Sequence, residues 1–230
     1  MKPGNRIKSQ DVLGRMEKAG IVPVVVIHDP SKAAQLGRAI LDAGLDLIEI
    51  TMRTERAMEA IRLLSNELPE LLVGAGTVFS VSVAKQVLSA GARFIVSPHL
   101  DKDIVAYCAR KDIVSVPGAF TPSETQAAIK AAALGARRKN IRDLPLAIKI
   151  FPASTGGPGH ITAMKAVFPE VRFMPLGGVN ADNLAEYVKA GAFAVGGTWI
   201  CKRELIEAGN FGRISELAKE ALDIITAARK

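Results

Sequence analysis

Eight short aliphatic runs alternate with amphipathic stretches along this 230-residue chain, and no other feature limits its fold so strongly. The runs are Val22–Ile27, Asp46–Thr51, Leu71–Gly74, Phe94–Ser97, Ile113–Val116, Leu144–Phe151, Val171–Pro175 and Ala192–Val195. Each is too short for a helix and too uniformly apolar for a strand with one wet face, so each reads as a buried parallel strand. Helical patterns follow at Ser31–Ala43, Glu55–Leu68, Ser82–Ala90, Lys102–Arg110, Pro122–Ala136, Gly159–Val167 and Ala181–Ala190. Helices at Arg203–Glu207 and Ile214–Ala228 close the series, and one at Ser9–Lys18 precedes it. Parallel strands need crossovers of this kind, and eight such units predict an α/β fold, a (β/α)8 TIM barrel with an extra N-terminal helix, as a single domain over 1–230. An open doubly wound sheet is the alternative. His28-Asp29-Pro30 stands after the first strand, where that fold would carry a glycine-rich dinucleotide fingerprint. Hydrophobic residues at 49% with aromatics at only 5% also suit an aliphatic α/β core better than an all-β sandwich.

A formal charge of +7 favours anionic partners, whether metabolites or nucleic acid. The one dense basic cluster, Arg137 to Arg142, has no interleaved aromatics to stack bases and reads as a solvated loop, so no nucleic-acid partner is expected. Cys108 and Cys201 are too few and too isolated for a disulfide framework or a zinc site. The polar start from Met1 to Ala19 has no apolar signal core, and no run is long enough to span a bilayer. A cytoplasmic protein with reduced thiols and no membrane partner is the expectation.

One lysine interrupts an apolar run, Leu144-Pro145-Leu146-Ala147-Ile148-Lys149-Ile150-Phe151-Pro152. Burial would lower the pKa of the Lys149 amine and make it a neutral nucleophile able to condense with a ketone. Otherwise Lys149 is a side chain snorkelling from the strand end to water. On the second strand, alternation sets Leu47, Glu49 and Thr51 on one face and Ile48 and Ile50 on the other. Glu49 therefore points into a barrel, and Lys149, with the parity of Ala147 and Phe151, points there too. The pair is either a buried structural ion pair or an acid/base and nucleophile at the catalytic end of the barrel, and the second reading is favoured.

Arg53, two residues past that strand's inward row, could clamp a carboxylate with its planar fork. Gly74-Ala75-Gly76-Thr77 ends the third strand with small residues, and Thr77 offers a hydroxyl and an amide; the same pattern also makes an ordinary tight turn. Gly177-Gly178 and Gly196-Gly197, after the seventh and eighth strands, stand where barrels bind phosphate through backbone amides, and Thr198 adds a hydroxyl. His28, His99 and His160 are dispersed and no residues have metal-ligand spacing, so no metal and no cofactor are expected.

In order, Glu49-Ile50-Thr51-Met52-Arg53-Thr54, Gly74-Ala75-Gly76-Thr77, Ser97-Pro98, Val116-Pro117-Gly118, Lys149-Ile150-Phe151-Pro152, Pro175-Leu176-Gly177-Gly178 and Gly196-Gly197-Thr198-Trp199 make the chain resemble a family. It is that of the bacterial class I 2-keto-3-deoxy-6-phosphogluconate (KDPG) aldolases, also called 4-hydroxy-2-oxoglutarate (KHG) aldolases. The resemblance covers about residues 12 to 227. It implies a homotrimeric barrel that splits a keto-acid phosphate into pyruvate and glyceraldehyde 3-phosphate, and that also acts on 4-hydroxy-2-oxoglutarate. Lys149 then resembles the Schiff-base lysine and Glu49 the general acid/base. Arg53 and Thr77 resemble carboxylate contacts, Pro98 and Phe151 pocket walls, and Gly177, Gly178, Gly196, Gly197 and Thr198 the phosphate site. Leu176, His99 and the stretch from Arg138 to Leu144 depart from the family pattern. A related branch acts on the galactonate epimer. Ser154 to Pro158 leans toward that branch, while Arg53 leans toward the gluconate type. A non-catalytic phosphometabolite-binding barrel is the remaining alternative.

Overall fold

The computed structural model describes residues Ile7–Lys230. Residues 1–6, at the start of the span read above as one domain, lie outside them. Helix α1 (Ser9–Ala19) comes first and is ended by Gly20, whose φ of 68° is the left-handed conformation that glycine adopts without strain. Strand β1 (Ile21–Val25) follows directly. Then β2 (Leu47–Thr51), β3 (Leu72–Gly76), β4 (Phe94–Val96) and β5 (Val114–Val116) alternate with α2 (Ala33–Asp42), α3 (Ala57–Glu67), α4 (Val81–Ser89) and α5 (Lys102–Arg110). After β6 (Gly118–Ala119) come α6 (Pro122–Ala136), β7 (Ile148–Ile150), α7 (Gly157–Val167), β8 (Phe173–Pro175), α8 (Leu184–Lys189), β9 (Val195–Gly197), α9 (Arg203–Glu207) and α10 (Phe211–Ala228).

The helix starts follow local chemistry. Asp101 caps α5 by accepting from the amides of Asp103 and Ile104. Thr121 and Glu124 form a reciprocal capping box around Pro122, which lacks a donor the first turn does not need.

All paired strands run parallel, in a six-stranded sheet ordered β5-β4-β3-β2-β1-β9 and a three-stranded sheet ordered β6-β7-β8. Backbone hydrogen bonds also cross between the sheets. The Ala147 amide donates to the Ser115 carbonyl at 3.1 Å, and the Phe193 amide to the Phe173 carbonyl at 2.9 Å. The sixth strand is shorter than its apolar run, because Pro145 has no amide to donate and Leu144 follows a 3-10 turn at Ile141–Asp143. The last strand begins three residues later than expected, since Val195, Gly196 and Gly197 pair with Ile21, Val22 and Pro23.

Two apolar layers result. Ile48, Ile50, Ile148 and Ile150 pack outward against the helices. Val22, Leu47, Leu72, Phe94, Val114, Ala147, Met174 and Phe193, drawn from strands around both sheets and the residues leading into them, meet in a separate inner cluster with Val12, Leu13 and Met16 of α1. Helix α1 thus lays its apolar stripe across the N-terminal ends of the strands. Met16 is fully buried there. We expect Met16→Ala to lower unfolding free energy by about 2–5 kcal/mol, measured by denaturant titration, since a cavity would open in that cluster.

Candidate active site

Parity and register bring the two buried charges together. Glu49 lies on β2 opposite Val24 and Gly74, and Lys149 on β7 opposite Gly118 and Met174. Each has an aliphatic inner-cluster residue two positions earlier, Leu47 and Ala147, so both side chains stand one layer above the apolar floor. Glu49 is 1% and Lys149 4% exposed. With Arg53, Thr77, Leu176 and Thr198 they line one cavity of about 180 Å³ at the C-terminal ends of the strands.

Small residues make that arrangement possible. The Phe94 ring occupies the space that a Cβ on Gly74 would fill, and Glu49 Oε1 the space of a Cβ on Gly76. The other carboxylate oxygen, Oε2, is buried with no hydrogen-bond partner among the described residues. A buried acceptor with no protein donor is completed by water or by a ligand.

Electrostatics push both groups toward their neutral forms. Burial raises the Glu49 carboxyl above its ordinary value, while Lys149 and Arg53 pull it back. Burial likewise lowers the Lys149 amine, Glu49 opposes that, and Arg53 adds to it. The Lys149 Nζ stands 4.7 Å from the centre of the Phe151 ring, so one flank of the amine is aromatic. Arg53 is exposed at the mouth and makes no hydrogen bond or ion pair with another described residue, leaving its fork free. Cys201 also lines the cavity, but burial raises its pKa and keeps it a thiol.

The other expected residues separate into groups. Thr77 lines the cavity with φ at 60°, a left-handed conformation strained for a β-branched residue and typical of a held functional turn. Gly177 (φ 91°) and Gly178 (φ 82°) form a turn against Phe151 and Ser154, fastened where Asn183 Nδ2 donates to the Gly178 carbonyl at 3.0 Å. Gly196 and Gly197, expected in a loop, instead lie inside β9. There a side chain would strike Leu176 at the first and crowd Ile21 and Ile200 at the second, so packing already demands glycine. Pro98 is not in the cavity wall; its carbonyl backs onto Gly118.

The sequence reading missed Lys202 and Arg203, which line the cavity beyond Thr198, and the wall residue Leu176. The adjacent cations just past Thr198 were the available signal. His160 is structural, stacked on Phe120 at 4.3 Å with Nε2 bonded to the Phe120 carbonyl at 2.8 Å. Among the described residues no three His, Cys, Asp or Glu side chains form a metal-holding group, and no helix is long and apolar enough to cross a membrane. A larger cleft of about 810 Å³ opens at the opposite strand ends, near Glu17, Lys165, Arg172 and Arg229. Its Lys165 and Arg229 already donate to backbone carbonyls, so they serve as turn and helix caps.

The Lys149 penalty is fully present below its lowered folded pKa and fades as pH rises toward the ordinary lysine value. The Glu49 penalty is present above its raised folded pKa and fades as pH falls. Near neutral pH the folded chain carries a cost from this pair. Replacing it by Glu49→Leu with Lys149→Met should stabilise the protein by about 1–4 kcal/mol, read as a Tm rise of about 2–4 °C per kcal/mol. A lower Tm would identify the pair as a net structural clamp.

The KDPG and KHG aldolase profile matches residues 12–217. A 2-dehydro-3-deoxy-phosphogluconate aldolase of Treponema pallidum is 34% identical over 212 residues, covering 91% of this chain and 95% of that protein. A KDPG aldolase from Legionella pneumophila, solved with pyruvate captured as a covalent carbinolamine intermediate, superposes with a TM-score of 0.82 at 32% identity, covering 91% of this chain and 97% of that one. The 2-keto-3-deoxy-6-phosphogluconate aldolase of Zymomonas mobilis, solved with 3-phosphoglycerate, gives 0.78 at 31% identity over 93% and 95% of the two chains. A buried lysine and a buried glutamate line one cavity on this parallel α/β sheet, and with the profile and the relatives matching nearly the whole chain, the protein belongs to the KDPG and KHG aldolase family.

Proposed function

We propose that the chain is a class I aldolase cleaving 2-keto-3-deoxy-6-phosphogluconate to pyruvate and glyceraldehyde 3-phosphate, with 4-hydroxy-2-oxoglutarate as a further substrate. One observation carries it: the Lys149 amine and the Glu49 carboxyl, both buried and both driven toward neutrality, wall the same cavity beside the free Arg53. A closed (β/α)8 barrel with α1 as an added N-terminal helix is supported by the hydrogen bonds between the two sheets and by the shared inner cluster. The working form on this reading is a cytoplasmic homotrimer, as the family resemblance implies.

The chemistry follows from the groups. Neutral Lys149 Nζ adds to the substrate C2 carbonyl, giving a carbinolamine. The protonated Glu49 delivers a proton to the departing hydroxyl, so water leaves and a protonated imine forms. Glu49, now a carboxylate, accepts the proton of the C4 hydroxyl as the C3–C4 bond breaks. The bond's electron pair flows into the imine, giving an enamine and freeing the aldehyde. Protonation at C3 and addition of water then release pyruvate and restore the amine. Arg53 holds the substrate carboxylate by a paired hydrogen bond, and Thr77 supports it. Thr198 and the Gly177-Gly178 turn approach the phosphate.

Pyruvate with borohydride should attach one covalent group at Lys149, seen by intact mass and peptide mapping, and Lys149→Ala should show none. Labelling elsewhere, or none, would end the aldolase reading. Only the neutral amine reacts, so the initial labelling rate should rise with pH through the Lys149 pKa, at a midpoint below the ordinary lysine value of 10.5. Because Glu49 raises that pKa and Arg53 lowers it, the midpoint should move down in Glu49→Gln and up in Arg53→Met. Shifts of opposite sign would show that Lys149 is not the titrating group.

A further inference from the structure

On the aldolase reading, and resting on it, we infer that Thr54 is a positioning residue for the carboxylate clamp: its hydroxyl ties the β2–α3 loop to the chain just past β1, and so holds Arg53 where its fork meets the substrate carboxylate. The hydroxyl donates to the Ile27 carbonyl at 2.7 Å, in a partly buried bond. Arg53 does not supply that order itself. It is exposed and makes no hydrogen bond or ion pair with another described residue, so the backbone beneath it decides where its long side chain can reach.

The loop needs such a strut because the regular pairing has ended. The β1–β2 ladder stops at Val25 and Ile50, and the Met52 amide makes a further backbone bond, to the Gly76 carbonyl at 2.8 Å. The tie from the Ala57 amide to the Thr54 carbonyl at 3.3 Å already belongs to the entry into α3. Arg53 stands between these two. Threonine hydroxyls carry the contact of β2 with β1 onward where the ladder stops, Thr51 to the Val25 carbonyl at 2.9 Å and Thr54 to that of Ile27. They bracket Arg53, one two residues before it and the other directly after. The anchor is firm, since Ile27 and Ala57 are both fully buried in the outer layer.

The choice of partner points the same way. A threonine just ahead of a helix commonly turns its hydroxyl back to cap the first amides. Helix α3 starts with no side-chain cap hydrogen bond, and Thr54 reaches across to Ile27 instead. The neighbouring arginine is no substitute for the clamp, because Arg56 is held by Glu59 at 2.7 Å and does not line the cavity. Arg53 acts electrostatically on both Glu49 and Lys149, so its distance from them is written into their titration. A loop released from Ile27 would let the cation drift toward water. The grip on a carboxylate would then weaken, and the Lys149 amine would hold its proton more tightly, while a ketone without a carboxylate would lose no contact.

The test follows borohydride labelling of Lys149 against ketone concentration, with pyruvate and with acetone, which has no carboxylate, at a pH above the labelling midpoint. In Thr54→Val, which keeps the shape and removes the hydroxyl, the half-saturating pyruvate concentration should rise about two- to tenfold, the worth of one hydrogen bond, and that of acetone should stay as in the unaltered protein. The pH midpoint of labelling, read with acetone, should move up, as in Arg53→Met. Thr54→Ser should behave as the unaltered protein. Thr54→Val combined with Arg53→Met should lose no more than Arg53→Met alone, since nothing is then left to position. Thr54→Ala removes the same bond with a smaller side chain and takes the place of the valine variant if absent acetone labelling shows the latter to be unfolded. An unchanged pyruvate requirement, equal losses with pyruvate and acetone, or losses that add in the double variant overturn the inference and leave the aldolase reading intact, because Lys149 is still labelled. Failure of pyruvate to label the unaltered protein sinks both.

Discussion

Taking one lysine amine out of water, on a strand inside a parallel sheet, is the constraint on which the remaining structure turns. An isolated ammonium at that depth would cost several kcal/mol, and burial accordingly makes the Lys149 proton easier to lose. Glu49 makes the opposite concession on β2, and each group limits how far the other shifts. On the proposed mechanism these are the nucleophile and the proton carrier, each biased by burial toward its neutral form and each with little exposure to water. Such a pair is a liability for folding and an asset for chemistry.

The surrounding residues are chosen by that pair. Gly74 lets the Phe94 ring into the interior below Glu49, and Gly76 leaves room for the carboxylate. Thr51, on the same face of β2, has its hydroxyl committed to the Val25 carbonyl at 2.9 Å, which ties β2 to β1 and keeps that donor away from the bare Glu49 oxygen. The helices have a different task. Their apolar faces meet Ile48, Ile50, Ile148 and Ile150 on the outside of the sheet, so they hold the strands without entering the site.

How much of this the sequence disclosed depended on whether the signal was local. Period-two alternation on β2 and β7 is a property of a few adjacent residues, and it correctly turned Leu47 and Ala147 inward, with Glu49 and Lys149 above them. The strand and helix order was legible for the same reason. Strand ends were less so, because pairing with a distant neighbour decides them: β9 is where it is because β1 is there to accept Val195, Gly196 and Gly197. That displacement also changed the meaning of a motif. A glycine pair seen in a string looks like a loop that embraces an anion, and only the positions of Leu176, Ile21 and Ile200 reveal that side chains have no room there. Pro98 and the two cations after Cys201 went astray in the same way, since which residues share a cavity wall is a fact of three dimensions.

Helix α1 has a bearing on the chemistry that its distance from the site conceals. By setting Val12, Leu13 and Met16 against Leu47, Leu72 and Ala147, it lays a dry floor beneath the reacting groups. Water and protons then meet Glu49 and Lys149 from above, through the same opening that admits substrate. A ligand in that opening stands between the two groups and the solvent, with the apolar floor behind them. On the proposed mechanism the proton leaving the C4 hydroxyl passes to Glu49, the one carboxyl in the wall of that cavity, and the floor that α1 lays leaves it no second exit below.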